Sequence, residues 1–149
     1  MKIYLASDHA GFKLKEAVKK KLEEKGFDIE DCGAKELDPQ DDYPDYVEIA
    51  AKEVSNDPLS IGIIFGKSGA GEAITANKIK GIRSVVGFDD KNVRLSRQHN
   101  NANVLSIGSD FISVDKAFLL IEIFINTPFS NEERHIRRIN KITEIENNE

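Results

Sequence analysis

The strongest constraint on the fold of this chain is the alternation of short apolar segments with longer helical ones. Each apolar segment is rich in β-branched or aromatic residues and is bounded by turn residues, which is typical of buried strands. The predicted strands are 2–6, 27–32, 61–65, 83–88 and 103–107. Because strands that alternate with helices pair in parallel through crossover connections, the pattern predicts an α/β fold with a five-stranded parallel sheet.

Apolar residues in the intervening segments recur at the spacing of one helix face. The predicted helices are 12–25, 43–54, a segment from Glu72 to about Lys78, a segment from Asp89–Asp90 to Asn101, 113–126 and 130–146. Helix 113–126 is apolar nearly all round and is therefore expected to be buried, in part against another subunit. Only 146–149 is expected to fray.

The composition limits the class of protein. A chain of 149 residues predicts a single domain, 1–149, with one buried core. The net charge of −5 argues against a broad nucleic-acid surface, and no apolar run reaches the roughly 18 residues of a membrane span. The N-terminus lacks a signal-peptide pattern, so a cytoplasmic location is expected. The single cysteine, Cys32, excludes an internal disulfide and is expected in the core.

A glycine-rich turn, residues 66–71, follows the third predicted strand and leads into a helix that begins with Glu72. A strand, such a turn and a helix start together direct backbone N–H groups at an anion. A carboxylate beside those donors indicates proton transfer next to a stabilised oxyanion, and the dipoles of the helix start favour its charged form.

Two phosphate-binding motifs do not fit this turn. A Walker A motif needs a glycine at Ile61, which lies within the strand, so the turn is too short to wrap a triphosphate. The motif GxGxxG, started at Gly69, places Ile74 where its third glycine belongs. A plain tight turn, in which glycine serves only the backbone angles, stays open as the alternative.

The chain has three histidines, none within an apolar core stripe. His9 follows Asp8 in the turn after the first strand, His99 lies at the end of a polar helix, and His135 lies between arginines. Each can be an ordinary surface histidine. No HxxxH or carboxylate–histidine spacing indicates a metal site, so none is expected.

Arg134 and Arg138 lie four residues apart, so their side chains leave the same face of a helix. Two guanidinium groups on one face can grip a phosphate through several charge-assisted hydrogen bonds. The alternative is a solvated basic face that pairs with Glu132 and Glu133. When the two arginines are considered without the rest of the chain, this alternative is the favoured interpretation.

Five motifs follow one another in an order that points to a known family. They are Asp8-His9-Ala10-Gly11, Asp42-Tyr43-Pro44, the turn 66–72 followed by Ala76-Asn77-Lys78, Ser96-Arg97-Gln98-His99-Asn100, and Arg134-His135 with Arg138. Over essentially its whole length the chain resembles the type B ribose-5-phosphate isomerases, whose relatives include galactose-6-phosphate isomerase. The resemblance implies a Rossmann-like three-layer α/β/α sandwich with a five-stranded parallel sheet and a C-terminal helix.

The same resemblance implies an aldose–ketose isomerase of the pentose phosphate pathway that needs no metal or other cofactor. Its expected partner is a phosphorylated monosaccharide: ribose 5-phosphate, converted to ribulose 5-phosphate through ring opening and an enediolate. A homodimer or a dimer of dimers, with active sites shared between subunits, is also implied. The alternatives are an isomerase of galactose 6-phosphate or allose 6-phosphate, a non-catalytic sugar-phosphate sensor, and a flavodoxin-like module with another ligand.

Residue roles follow from the resemblance position by position. Glu72 is expected to be the base that moves a proton between C2 and C1, His99 to help open the sugar ring, and Ser68 to begin the anion hole for the enediolate. The other expected substrate contacts are Asp8, His9, Tyr43, Gly66, Lys67, Gly69, Ala70, Gly71, Asn100, Arg134 and Arg138. Among these, His9, Arg134 and Arg138 match phosphate contacts.

Four positions distinguish this chain within the resemblance. Gly66 stands where another branch of the family has a cysteine base, so the chain matches the glutamate branch. Asp110 stands where many members carry a phosphate-binding arginine. Asn101 replaces a common aspartate, and Lys67 replaces a small residue in the turn.

Overall fold

Five parallel strands form one central sheet in the computed structural model, which describes residues 1–149. This confirms the predicted α/β class and the three-layer arrangement. The strands are β1 (Lys2–Ser7), β2 (Asp28–Asp31), β3 (Ile61–Gly66), β4 (Ser84–Val86) and β5 (Val104–Gly108). The fourth strand is shorter than its apolar segment, because only three of its residues pair with β5.

Six helices connect and flank the strands. They are α1 (Phe12–Glu24), α2 (Tyr43–Asn56), α3 (Ala70–Ala76), α4 (Asp90–Asn100), α5 (Val114–Asn126) and α6 (Glu133–Asn147). The last helix continues to Asn147, so the frayed tail expected from residue 146 is wrong by about one residue at its start. None of these helices has both the length and the apolar character that a membrane crossing needs.

The helices cover both faces of the sheet with separate apolar clusters. Helices α1, α4 and α5 pack on one face, where residues such as Val18, Leu120 and Phe124 are fully buried. Helices α2 and α3 pack on the other face through residues such as Val47 and Ala76. The strands between them are buried on both sides, which is why they are continuous apolar runs rather than alternating ones.

The strand order is β2-β1-β3-β5-β4. The chain therefore leaves β1 toward one edge of the sheet, and then crosses β1 to build the other side from β3. Ligands of such sheets bind outside the carboxyl ends of the strands where the order reverses, here between β1 and β3. The turns after these two strands are those of Asp8 and of residues 66–71.

Two apolar helix faces have no partner within the chain. Helix α5 buries Ala117, Leu120, Ile121 and Phe124, but Leu119 on its outer side is exposed, so the expected burial of that side against another subunit stays a prediction. Helix α6 packs mainly against α4 and buries only His135. Its apolar side is largely open to solvent, namely Ile136, Ile142 and Ile145.

Candidate active site

The carboxyl edge of the sheet brings together Asp8 and the glycine-rich turn. In the parallel register Ser7 pairs with Phe65, and Gly66 pairs with Gly108. The turns that follow β1, β3 and β5 therefore emerge side by side. Gly11 allows the first two turns to meet, since a Cβ there would lie 2.5 Å from the Phe65 carbonyl.

The glycine-rich turn is held in place by residues within and directly after β5. The Ser109 N–H donates to the Gly66 carbonyl at 2.8 Å, and the Asp110 N–H donates to the Lys67 carbonyl at 3.0 Å. The Ser106 hydroxyl donates to the Gly69 carbonyl at 2.7 Å, where Gly69 has a positive φ of 84°. These bonds fix the turn without using the N–H groups that face outward.

Glu72 lies in the first turn of α3, with 3% of its surface exposed. Its carboxyl group fits against the Cα of Gly66, because a Cβ on Gly66 would overlap it and would lie 2.7 Å even from the farther oxygen, Oε2. That oxygen is buried and has no hydrogen-bond partner within the chain. A buried carboxylate with an unpartnered oxygen at the edge where ligands bind is suited to accept a proton.

Burial raises the pKa of Glu72 above its ordinary value, and the negative charge of Asp8 adds to this effect. The backbone N–H groups of Glu72 and Gly69 act in the opposite direction, by favouring the carboxylate. The N–H groups of the helix start therefore favour the carboxylate as expected, but burial has the larger effect on its pKa. A carboxylate whose charge is poorly solvated is a stronger base than one in water.

Two further expected contacts border this carboxylate. The phenol of Tyr43, at the start of α2, lies on the Cα of Gly71, where a Cβ would overlap its ring. The Ser68 hydroxyl accepts the Ala70 N–H at 3.2 Å, so one of the expected oxyanion donors has a partner within the turn. The side chains of Ser68 and Lys67 are exposed beside them.

Asp41 belongs to this group of residues, although the sequence did not indicate it. Its Oδ1 accepts both the His9 backbone N–H at 2.9 Å and a bond from His9 Nδ1 at 2.7 Å. The hydrogen bond to Asp41 raises the pKa of His9 above its ordinary value. The only signal in the sequence is that Asp41 directly precedes the Asp42-Tyr43-Pro44 motif.

Asp8, His9 and Asp41 also form a cluster whose ligating atoms all lie within 4.8 Å of one another. The sequence spacing did not predict it, because Asp41 is 32 residues from His9. All three side chains take part in hydrogen bonds within the chain: His9 Nδ1 bonds to Asp41 Oδ1, and Asp8 Oδ1 accepts the Gly11 N–H at 3.1 Å. Asp41 Oδ2 is buried and has no hydrogen-bond partner.

His99 and Asn100 lie at the opposite, amino edge of the sheet. Helix α4 begins after β4, crosses the sheet and ends where Arg83 Nε donates to the Asn100 carbonyl at 2.9 Å. Arg83 directly precedes β4, so this contact locates the end of the helix. Asn101 closes α4 with a positive φ of 45°, a conformation that asparagine adopts readily.

Arg134 and Arg138, which are also expected phosphate contacts, belong to the same part of the molecule as His99 and Asn100. Arg134 and Arg138 are exposed on α6, which packs against α4. Arg134 approaches the Glu132 carboxylate at 3.5 Å, so the predicted pairing with that glutamate is present, although both side chains are about half exposed.

The expected site residues thus form two groups that one chain does not bring together. The carboxyl-edge group is Asp8, His9, Tyr43, residues 66–71 and Glu72, and the amino-edge group is His99, Asn100, Arg134 and Arg138. A strand rises about 3.3 Å per residue, so the ends of the five-residue strand β5 alone are separated by roughly 13 Å. Within one chain, a pentose phosphate cannot contact Glu72 and His99 at once.

Cys32 takes no part in either group. Its thiol is half-buried, and burial raises its pKa to about 11. At neutral pH it is therefore protonated and a poor nucleophile.

The family model described as ribose/galactose isomerase matches residues 3–142. The chain belongs to the ribose/galactose isomerase family. A relative named ribose-5-phosphate isomerase B, from Mycolicibacterium paratuberculosis, is 42% identical over 146 residues, which are 98% of this chain and 92% of the relative.

Solved structures of the ribose/galactose isomerase family have the same fold. Ribose-5-phosphate isomerase B from Mycoplasma genitalium, solved with bound ribulose-5-phosphate, is 35% identical with a TM-score of 0.93 and covers 98% of this chain and 96% of its own. The Clostridium thermocellum enzyme of that name is 34% identical with a TM-score of 0.95, and 99% of each chain is covered.

Proposed function

We propose that this chain is an aldose–ketose isomerase that interconverts ribose 5-phosphate and ribulose 5-phosphate. The observation that carries the proposal is the buried Glu72 carboxylate, with its unpartnered oxygen beside the glycine-rich turn. The names of the family relatives support the substrate, as does the ribulose 5-phosphate bound in the Mycoplasma genitalium structure. Pentose phosphate metabolism and the cytoplasm are part of the proposal, and the free thiol of Cys32 fits a reducing compartment.

Isomerisation begins with ring opening, for which we assign His99. The imidazole takes the proton of the C1 hydroxyl group and a proton is returned to O4, so that the C1–O4 bond breaks and the C1 aldehyde forms. Histidine suits this step because its two nitrogens can give and take protons near neutral pH.

Glu72 then takes the proton from C2 of the open aldose. The C–H electron pair forms a C1–C2 double bond, and the carbonyl pair moves to O1, which becomes the enediolate oxygen. Backbone N–H groups of the glycine-rich turn stabilise that charge. Glu72 returns its proton to C1, while the O2 proton moves to O1, and the ketose results.

The phosphate is bound by cations from both groups. His9, held by Asp41, provides one charged donor at the carboxyl edge. Arg134 and Arg138 provide guanidinium groups with paired N–H donors, which suit phosphate oxygens.

Because the two groups lie at opposite edges, we propose that two copies of this chain complete each other's sites. In a two-fold dimer the carboxyl-edge group of one copy faces the amino-edge group of the other. The exposed apolar side of α6 and the outer side of α5 are suited to be covered in such a dimer or a dimer of dimers.

The substrate is tested with a panel of ribose 5-phosphate, allose 6-phosphate and galactose 6-phosphate, with ketose formation as the measurement. The highest kcat/KM is expected for ribose 5-phosphate. Preference for a six-carbon sugar would contradict the choice of substrate but not the reaction. Binding of every sugar without any conversion would identify a sensor and overturn the proposal.

The shared site is tested by mixing two inactive variants, Glu72→Gln and His99→Asn. In a mixed dimer one site carries both substitutions and the other carries neither. Equal mixing, after dissociation and reassociation, is therefore expected to restore about a quarter of the activity of the native protein. If no activity returns, although mass spectrometry shows mixed dimers, each site belongs to one chain.

A further inference from the structure

His135 is the one buried titratable group near the amino-edge residues to which the mechanism gives no role. Only 3% of its surface is exposed, and it is the only buried residue of α6. Its ring packs against that of His99, with ring centroids 4.3 Å apart and planes inclined by 33°. Aromatic rings in contact at such short range stabilise each other in a preferred arrangement.

The orientation of His135 is itself determined by Ser130. The Ser130 hydroxyl and His135 Nδ1 are 2.9 Å apart, and the same hydroxyl accepts the Glu132 N–H at 3.3 Å. The Glu132 carboxylate approaches the same ring nitrogen, with Oε2 3.5 Å from Nδ1. The Ser130 N–H donates to the Gln98 carbonyl at 3.1 Å, which ties this turn to the residue before His99.

We propose that His135 is a positioning residue, whose ring, oriented by Ser130, holds the His99 imidazole in the direction needed for ring opening. The inference deepens the proposed function and rests on the role of His99 in it. Without His135, the His99 side chain lies at the end of α4, half-exposed and free to rotate about its two side-chain bonds.

The charges around His135 favour its neutral form. Burial lowers its pKa, and the charge of His99 contributes further. Arg134 and Arg138 on its own helix act in the same direction, while Glu132 opposes them. A neutral His135 places no additional positive charge beside His99.

The test compares His135→Leu, which keeps apolar bulk but removes the planar ring, with His135→Phe, which retains a ring. Two reactions are measured. Conversion of ribose 5-phosphate needs ring opening. Loss of the C1 hydrogen of ribulose 5-phosphate to D₂O needs only the proton transfer by Glu72, because the ketose, with its O5 phosphorylated, has no ring to open.

We expect His135→Leu to lower the conversion of ribose 5-phosphate by about tenfold or more, since general acid–base terms are worth roughly 10² or more. Hydrogen exchange should stay within about twofold of the native rate. His135→Phe should recover most of the conversion. Equal losses in both reactions, equal behaviour of Leu and Phe, or no loss at all would overturn the inference.

A spectroscopic measurement is independent of activity. With three histidines in the chain, their imidazole proton resonances can be assigned by single substitutions. In His135→Leu the His99 resonance should move and that of His9, at the other edge, should not. An unmoved His99 resonance would contradict the contact.

A second variant covers the case in which His135→Leu does not fold. Ser130→Ala alters an exposed side chain and leaves His135 in place with a freer ring. It should lower ribose 5-phosphate conversion, though less than His135→Leu, and leave exchange unchanged. Unchanged conversion in Ser130→Ala would overturn the role assigned to the serine bond.

If the native protein shows neither reaction, it is the proposed function that fails, whereas loss of exchange in His99→Asn would refute only the role of His99.

Discussion

The Glu72 carboxyl group occupies the space that a side chain on Gly66 would need. The two residues therefore depend on each other: the strand end can carry a side chain, or the helix start can carry this carboxylate, but one site cannot hold both without rearrangement. In a close-packed interior there is no free volume into which either could move.

The first prediction follows from this contact. Gly66→Ala should displace the Glu72 carboxyl group and lower kcat by roughly a hundredfold, as a displacement of about 1 Å can do. KM should change little, because the phosphate contacts lie elsewhere. Gly62→Ala on the same strand is the matched control, since its Cβ would meet valine side chains at 3.2 Å and does not approach Glu72. If kcat of Gly66→Ala equals that of the control, Glu72 is not the base or is not constrained by Gly66.

The second prediction concerns the charge of Glu72. Glu72→Gln should lower kcat by about 10²–10⁴ while the protein keeps its affinity for the sugar phosphate. It should not lower the midpoint of thermal unfolding at neutral pH, because it removes a poorly solvated charge close to Asp8. Glu144→Gln, on the exposed face of α6, is the control for loss of a carboxylate.

The native pH profile checks the same group. Because its pKa is raised, Glu72 should lose its charge as pH falls through a value above the ordinary one, and kcat/KM should fall with it. The sign for stability is opposite: protonation relieves the burial of charge, so this group contributes more to stability at low pH. An acid limb at or below the ordinary pKa of a glutamate would contradict the burial described above.

The third prediction concerns Asp41. Asp41→Asn keeps an acceptor for His9 but removes the charge that raises the pKa of His9. KM for ribose 5-phosphate should therefore rise above about pH 6.5, where a histidine without its partner is neutral, and change less below it. Asp38→Asn, in the exposed part of the same loop, is the matched control. A rise in KM that is the same at every pH would indicate a steric rather than an electrostatic role.

The same pair affects stability. A histidine whose pKa is raised by folding adds stability that is fully present below its ordinary pKa of about 6.5 and is lost as pH rises through the folded value. The difference in unfolding midpoint between native protein and Asp41→Asn should thus be larger at acid pH than at alkaline pH.

The sequence predicted those parts of the molecule that depend on local patterns. The strands, the turn of residues 66–71 and the place of Glu72 follow from apolar periodicity and glycine spacing, and the structure confirms the fold. Asp41 was missed because its contact with His9 depends on how the loop after β2 returns to the first turn. The separation of His99 from Glu72 depends on the course of α4 across the sheet, which a linear motif does not record.

The direction of the pKa shift of Glu72 could not be predicted from the sequence either. A helix start predicts dipoles that favour a carboxylate, but the burial that opposes them exists only when β3, α3 and Asp8 are assembled. Similarly, the spacing of isoleucines on α6 correctly marked an apolar side, yet the surface that covers it is not part of the chain's own core.

The fourth prediction concerns Asp110, whose backbone bond to Lys67 puts it beside the glycine-rich turn. If its exposed carboxylate faces the phosphate, Asp110→Arg should lower KM for ribose 5-phosphate, because it replaces repulsion by attraction. Asp115→Arg, at the exposed start of α5, makes the same charge change away from the turn and is the control.

The alternative for Asp110 is an ion pair across the interface between two copies. In that case Asp110→Arg should weaken the dimer, measured as a loss of activity on dilution and as a smaller mass in sedimentation. A variant with unchanged KM and an unchanged dimer would exclude both readings.

Helix α4 sets the distance between the carboxyl edge of the sheet, where it begins, and His99 and Asn100 at the amino edge, where it ends. Its 11 residues span about 16 Å, and one inserted residue would turn everything beyond it by about 100°. His99 and Asn100 would then point in a different direction from the rest of the helix. An insertion or deletion within α4 should accordingly lower turnover sharply, because the direction of the His99 side chain depends on the number of residues that precede it in the helix.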